Sequence, residues 1–479
     1  MTNVVPAGNR PLWQWNASEI VAATRSGSVS CREVVAAVVE RMRSVNPRLN
    51  AVTLDLGEPA LQAAAQLDQQ RAAGTTPGPL FGVPITIKDN VDVRGQRTPN
   101  GVVGLASVIA PEDSPVVKNL VEAGAVIVGR TNAPEFSMRA TTNNALYGLT
   151  LNPWDARVSC GGSSGGAGSA VAAGIGAIGH GNDIGGSIRF PALHCGIAGL
   201  KPTLGRIPAY LPSAAAERPM ISSLMSVQGP LARSVADLGL ALGAMAARDA
   251  RDPWWVPAPL EGPPAPRKVG VIERIPGVQM APVVEASMRA ATRALERAGY
   301  TVEPVAVPDI VRSGELALRL LTTDMQQQIL PAAMRLGSEQ IKWYFEAWFA
   351  AVAPYRDMGE YLDALAARST LLREWLLVLE RHPVILVPER VEPLLEVDED
   401  LRSAEHVREI LHGFGPSVTF NLLGLPSVMV PTGLGGGLPT GVQLIASRYR
   451  EDLCLAAAGA VEQGLGTLVD QLWRRESAG

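Results

Sequence analysis

Ser159-Cys-Gly-Gly-Ser-Ser-Gly-Gly-Ala-Gly168 and Asn182-Asp-Ile-Gly-Gly-Ser-Ile-Arg-Phe-Pro191 stand at the two ends of an Ala/Gly/Ile run, and the stretch closes on Gly199-Leu-Lys-Pro-Thr203. Two glycine-flanked serines are thus set one helix plus one strand apart. Glycine lets backbone N–H groups approach a reacting atom and takes φ values other residues avoid. A hydroxyl beside such donors is the pairing that acyl transfer requires, a nucleophile next to an oxyanion hole. A surface loop rich in glycine has no reason to repeat the Gly-Gly-Ser design on both sides of an apolar segment.

Outward from this stretch, strand and helix patterns alternate. Phe81-Gly-Val-Pro-Ile-Thr-Ile-Lys-Asp-Asn90 reads as a short buried strand ending in Lys88-Asp89. Ser114-Pro115 starts a helix that Gly124 ends, and Ala125–Val128 reads as a strand. Ser234 with Asp237 opens another helix, then come strand Lys268–Ile272, helix Pro282–Ala298 and strand Thr301–Val305. This alternation implies an α/β fold with a mostly parallel sheet and helices on both faces.

Before Phe81 the chain reads as helical. Ser30 with Glu33 forms a capping box ahead of the stripe Val34, Val35, Val38, Val39 and Met42, and a second helix spans Pro59 to Ala73. After Val311 the alternation breaks into a helical stretch to Arg381, rich in aromatics. Strands at Val384–Pro388, Ser427–Val430 and Gly441–Ala446 restore the sheet before a last helix near Glu451. Pro257–Pro266 is the best linker by composition, and no internal repeat is visible. The expected organisation is one domain over 1–479: an N-terminal helical segment over 1–80, a catalytic core 81–310, a helical insertion 311–381 facing the substrate, and 382–479 completing the core.

The chain is 47% hydrophobic and 18% charged over 479 residues, with a net charge of −4. That composition suits a large packed core and argues against nucleic acid or an anionic membrane as partner. Ala167–Ile178 is too short and too glycine-rich to span a bilayer. Met1 to Trp15 lacks the pattern of a signal peptide. Cys31, Cys160, Cys195 and Cys454 show no paired metal-ligand spacing, so the expectation is a reduced, cytoplasmic protein without a metal.

Only five of the 42 basic residues are lysines: Lys88, Lys118, Lys201, Lys268 and Lys342. Arginine stays protonated, whereas a buried lysine can become neutral and act as a base. Lys88, at the end of an apolar strand, has the setting for that. Two other readings of the serine loop fit less well. Gly161-x-Ser163-x-Gly165 matches a nucleophile elbow, but none of the five histidines lies in a distinctive context and the second Gly-Gly-Ser stays unexplained. A phosphate loop would need Gly-Lys-Ser/Thr after the glycines.

Gly82-Val-Pro-x-x-x-Lys88-Asp, Gly161-Gly-Ser163-Ser-Gly-Gly, Asp183-Ile-Gly-Gly-Ser187-Ile-Arg and Gly199-Leu-Lys-Pro-Thr together resemble the amidase signature family. Phe420-Asn-Leu-Leu-Gly-Leu-Pro and Gly437-Leu-Pro-Thr-Gly-Val-Gln-Leu-Ile extend the resemblance toward the C-terminus. It implies a single α/β/α domain around a large mixed twisted sheet. It also implies a Ser–cis-Ser–Lys triad: Ser187 as nucleophile, Ser163 as the serine on a cis peptide, Lys88 as base. The N–H groups of Ile184, Gly185, Gly186 and Ser187 would form the oxyanion hole, with Asp183, Arg189 and Ser164 in support. Asn182 departs from the threonine commonest there, which leaves the local hydrogen bonding open.

The implied activity is hydrolysis of a carboxylic amide through an acyl-enzyme, without cofactor or metal, by a homodimer whose partner is a small-molecule amide. Alternatives are a carbamate or urea hydrolase of the same family, the amidase-like subunit of a tRNA-dependent amidotransferase, and a non-catalytic binding protein. In a helix, Tyr344 and Trp348 are i and i+4, and Phe345 and Trp348 are i and i+3. One such face could look into the substrate cleft, so Tyr344, Phe345 and Trp348 are expected to line a pocket for a bulky apolar or aryl group.

Overall fold

A computed structural model describes residues 10–478. Of the stretch Met1 to Trp15 read above for a signal peptide, residues 1–9 lie outside the described residues. Eleven strands form one sheet: β1 (Val52–Asp55), β2 (Pro84–Lys88), β3 (Val126–Thr131), β4 (Ile178–Asp183), β5 (Ala198–Lys201), β6 (Val227–Ala232), β7 (Lys268–Val271), β8 (Thr301–Pro304), β9 (Val384–Val387), β10 (Ser427–Gly435) and β11 (Leu438–Ala446). Their order is β1-β3-β2-β4-β6-β5-β10-β11-β9-β7-β8.

The sheet is mixed, as the family resemblance implies, and the expectation of a mostly parallel sheet is corrected. β2 runs parallel to β3 and β4, and β7 runs parallel to β8 and β9. Every other pairing is antiparallel. The parallel pairs sit where helical crossovers join the strands. At the centre, β10 and β11 form a hairpin whose two-residue turn is Gly436-Gly437, and the antiparallel run continues through β5, β6 and β4.

The helices begin where the sequence places their caps. Ser30 caps Cys31–Leu49 in a reciprocal capping box with Glu33, and Ser234 accepts the Asp237 N–H at the start of Val235–Met245. The region after Val311 comprises four helices, Ile310–Met325, Ile329–Leu336, Glu339–Ala351 and Met358–Leu379. They bury their own cluster around Leu318, Leu321, Met325, Tyr344, Phe345 and Trp348. A larger cluster lies against the sheet, built from Ile85, Ile87, Leu200, Val428, Val442 and Leu444 with the helices Val235–Met245 and Glu451–Leu465. No helix among the described residues is long and apolar enough to cross a membrane.

Candidate active site

The two neighbouring parallel strands β2 and β4 end side by side, and their last residues supply Lys88, Asn182 and Asp183. All five residues of β2 are buried. Lys88 is therefore delivered into the interior, 0% exposed. Its Nζ lies 2.7 Å from Ser163 Oγ and 2.8 Å from Asn182 Oδ1. Burial pushes its pKa down to about 7, against the opposing pull of Asp89 and Asp183.

Ser163 sits in the turn that leads into helix Gly165–Ala172, and the Gly162–Ser163 peptide is cis. Gly162 is required there: a Cβ on it would stand 2.2 Å from the Arg139 carbonyl oxygen. Ser187 occupies the next loop, half-buried, just ahead of helix Arg189–Cys195. The two loops are laced together, the Ser164 N–H donating to the Ser187 carbonyl at 3.2 Å and the Ser164 hydroxyl to the Asn182 carbonyl at 3.4 Å.

Asp183 organises the Ser187 loop. Its Oδ1 accepts the Gly186 N–H at 2.7 Å and its Oδ2 the Ile188 N–H at 3.1 Å. Arg189 grips the same carboxylate with Nε and Nη2, both at 3.0 Å. Burial acts to raise the Asp183 pKa, but the Arg189 guanidinium, Lys201 and the Ile188 N–H together outweigh it and hold the carboxyl well below the usual range. Arg189 in turn donates to the Ser417 carbonyl, Gln443 Oε1 and Asn421 Oδ1. Asn421 and Gln443 lie inside the two C-terminal motifs of the sequence, where nothing in the spacing indicated what they touch.

The expected oxyanion donors divide. The Gly186 N–H donates to Asp183 Oδ1 at 2.7 Å. This corrects the fourfold set, because a carboxylate three residues back is the stronger acceptor. The N–H groups of Ile184, Gly185 and Ser187 donate to no acceptor among the described residues.

The expected pocket aromatics are core residues. Tyr344, Phe345 and Trp348 are 1%, 0% and 4% exposed. Helix Glu339–Ala351 packs both of their faces inward, and the Trp348 indole N–H donates to Thr322 Oγ1 at 2.8 Å. Only Trp343 on that helix is a large exposed apolar side chain, at 37%. Phe136, Met138, Ile184 and Leu224 are among the half-buried apolar residues that pack on the same cluster. Ile184 belongs to the nucleophile loop, so the cluster touches that loop. Phe136 and Ser137 have φ of 55° and 58°, a conformation that no local sequence pattern flagged.

Two further polar groups were not anticipated. Asn90 and Asn182 pair through their side-chain amides beside Lys88. Glu389, buried, accepts the Ser417 hydroxyl at 2.7 Å while its Oε2 has no partner, and burial pushes its pKa up to about 8. Among the described residues, no group of three or more His, Cys, Asp or Glu is placed to hold a metal ion.

A family model described as Amidase matches residues 33–455. The chain belongs to the amidase signature family. It is 51% identical to an indoleacetamide hydrolase of Bradyrhizobium diazoefficiens, over 97% of this chain and 89% of that one. It is 33% identical to the A subunit of the glutamyl-tRNA(Gln) amidotransferase of Moorella thermoacetica, over 94% and 97% of the two chains. A bacterial aryl acylamidase of the amidase signature family superposes with a TM-score of 0.82 at 25% identity, covering 97% and 99%. A 6-aminohexanoate cyclic dimer hydrolase does so with a TM-score of 0.82 at 27% identity, covering 97% and 100%. The protein is an amidase, and it hydrolyses a carboxylic amide.

Proposed function

We propose that this amidase cleaves a primary arylacetamide of the indole-3-acetamide kind, releasing ammonia and the arylacetic acid through an acyl-enzyme on Ser187. The observation that carries the mechanism is the 2.7 Å contact between the buried Lys88 Nζ and Ser163 Oγ. A neutral Lys88 takes the Ser163 proton while Ser163 takes that of Ser187, whose Oγ attacks the amide carbonyl. The free N–H groups of Ile184, Gly185 and Ser187 receive the developing oxyanion. The proton returns along the same relay to the departing ammonia, and water then hydrolyses the Ser187 ester.

The substrate class is supported by the 51% identity to an indoleacetamide hydrolase and by the half-buried apolar Ile184 in the nucleophile loop, which packs on the same cluster as Phe136, Met138 and Leu224. The reading takes residues 1–479 as one catalytic unit. It also includes a homodimer in a reducing cytoplasm, where the four buried thiols stay free.

The test is ammonia release by the purified chain from indole-3-acetamide, phenylacetamide, acetamide and glutamine. The arylacetamides should lead by kcat/KM. Turnover of glutamine alone, and only with added partner subunits, would replace this reading by the amidotransferase one.

A further inference from the structure

We infer that Asn182 and Asn90 are positioning residues for the base: together they hold a carbonyl oxygen against Lys88 Nζ and so aim the lysine at Ser163. The inference rests on the reading of Lys88 as the base.

Lys88 Nζ has two polar side-chain contacts, Ser163 Oγ at 2.7 Å and Asn182 Oδ1 at 2.8 Å. A hydroxyl can donate or accept, whereas an amide oxygen only accepts, so Asn182 occupies one Nζ–H whatever the charge of the lysine. In the neutral amine the remaining lone pair is then left for the Ser163 hydroxyl. An amide turned over by 180° would present N–H to Nζ instead, and the structure contains a device against that.

Asn182 Nδ2 donates to Asn90 Oδ1 at 2.8 Å, and Asn90 Nδ2 reaches back to Asn182 Oδ1 at 3.3 Å. Asn90 Nδ2 also donates to Ser137 Oγ at 2.9 Å, and the Ser137 hydroxyl donates to Asn100 Oδ1 at 2.6 Å. Each donor–acceptor direction sets the next, from Asn100 inward to Lys88.

The charged and titratable groups acting on Lys88 are Asp89 on its own segment, Asp183 on β4 and Arg218 from the chain beyond β5. His180 on β4, which burial pushes down to about 3, is neutral near pH 7. None of these is altered by changing Asn90, which makes Asn90→Ala the decisive variant.

The experiment is the pH dependence of kcat/KM on an arylacetamide for wild type, Asn90→Ala, Asn182→Asp, Asn182→Thr and Lys88→Ala, with thermal unfolding of each. An acceptor dipole favours the ammonium, so losing its fixed direction lowers the lysine pKa. Asn90→Ala should move the rising limb to lower pH and cut the plateau by roughly tenfold to a hundredfold through misalignment, with KM little changed. Asn182→Asp, nearly isosteric, should move the limb up by about one to three pH units. Asn182→Thr, whose hydroxyl can donate as well as accept, should move the limb to lower pH as Asn90→Ala does.

Limbs that stay at the wild-type pH in both Asn90→Ala and Asn182→Asp, while Lys88→Ala is dead, would overturn this inference and leave the base role intact. An active Lys88→Ala would overturn the base role itself. If an Asn182 variant fails to fold, the half-buried Asn90→Ala still decides by its limb.

Discussion

Arg189 and Asp183 meet in a two-pronged ion pair, Nε to Oδ2 and Nη2 to Oδ1, each 3.0 Å, with both side chains 0% exposed. The same carboxylate holds the N–H groups of Gly186 and Ile188, on either side of Ser187. A pair so buried couples the stability of the core to the shape of the nucleophile loop. Asp183→Asn leaves a buried guanidinium without its counter-charge, which costs about 3–5 kcal/mol. Urea unfolding should show that loss, and kcat should fall with it. An Asp183→Asn protein with wild-type midpoint and turnover would mean that the loop is held by something else.

The serines are distinguished by covalent labelling. Ser187→Ala should abolish turnover, and Ser163→Ala and Lys88→Ala should each lower kcat/KM by about 10²–10⁴-fold, the range for loss of a positioned proton carrier. A fluorophosphonate should label Ser187, read by peptide mass spectrometry. A label on Ser163 with Ser187 untouched would reverse the assignment and restore the elbow reading.

The pH profile of activity follows from the burial of Lys88. Desolvation sets its pKa at about 7, and the base must be neutral to accept a proton. Activity should rise with pH along one limb centred there, then level off. Lys88→Arg should be inactive across the whole range, because guanidinium does not deprotonate. Retention of most of the activity by Lys88→Arg would exclude the base role.

Glu389 makes the opposite prediction for stability. Burial raises its pKa from 4.5 to about 8, so between these values the folded chain keeps a proton that the unfolded chain has lost. Its contribution to stability is complete below about pH 4.5, declines as pH rises from there to about 8, and is lost above it. Glu389→Gln keeps the Ser417 contact and cannot ionise. Its melting temperature should match wild type at pH 4.5 and exceed it by a growing margin up to pH 9. A constant offset across that range would show that the carboxyl does not change its charge.

Specificity and stability should separate on two neighbouring sets of residues. Phe136→Ala should lower kcat/KM for an arylacetamide relative to acetamide by about 10–200-fold, the range for apolar pocket contacts. Trp348→Ala should cost about 3–5 kcal/mol of stability, as a core truncation does, and leave the ratio between the two substrates nearly unchanged. The reverse outcome would return the trio Tyr344, Phe345 and Trp348 to the pocket.

The glycine-serine motifs, the capped helices and the strand ending at Lys88 were legible from the sequence, because they rest on local chemistry. A capping box needs residues three apart, and a buried strand needs only a run of apolar side chains. Lysine scarcity drew attention to Lys88, but it applies equally to Lys201. Both are fully buried, and burial brings both to a pKa of about 7. Only the tertiary structure separates them: Lys88 reaches a serine hydroxyl, whereas Lys201 donates to the Pro202 carbonyl. Sheet direction was also decided in three dimensions, since the central antiparallel pairs join β5 to β10 and β4 to β6 across long sequence separations. The phase of an aromatic helix shows which residues share a face, but not what that face meets, so Tyr344, Phe345 and Trp348 pass for pocket residues until their neighbours are known. The amide pair beside Lys88 was hidden for the same reason. Asn90 and Asn182 are 92 residues apart, and a hydrogen bond of that span follows from the sheet that brings two strand ends together, not from any spacing along the chain.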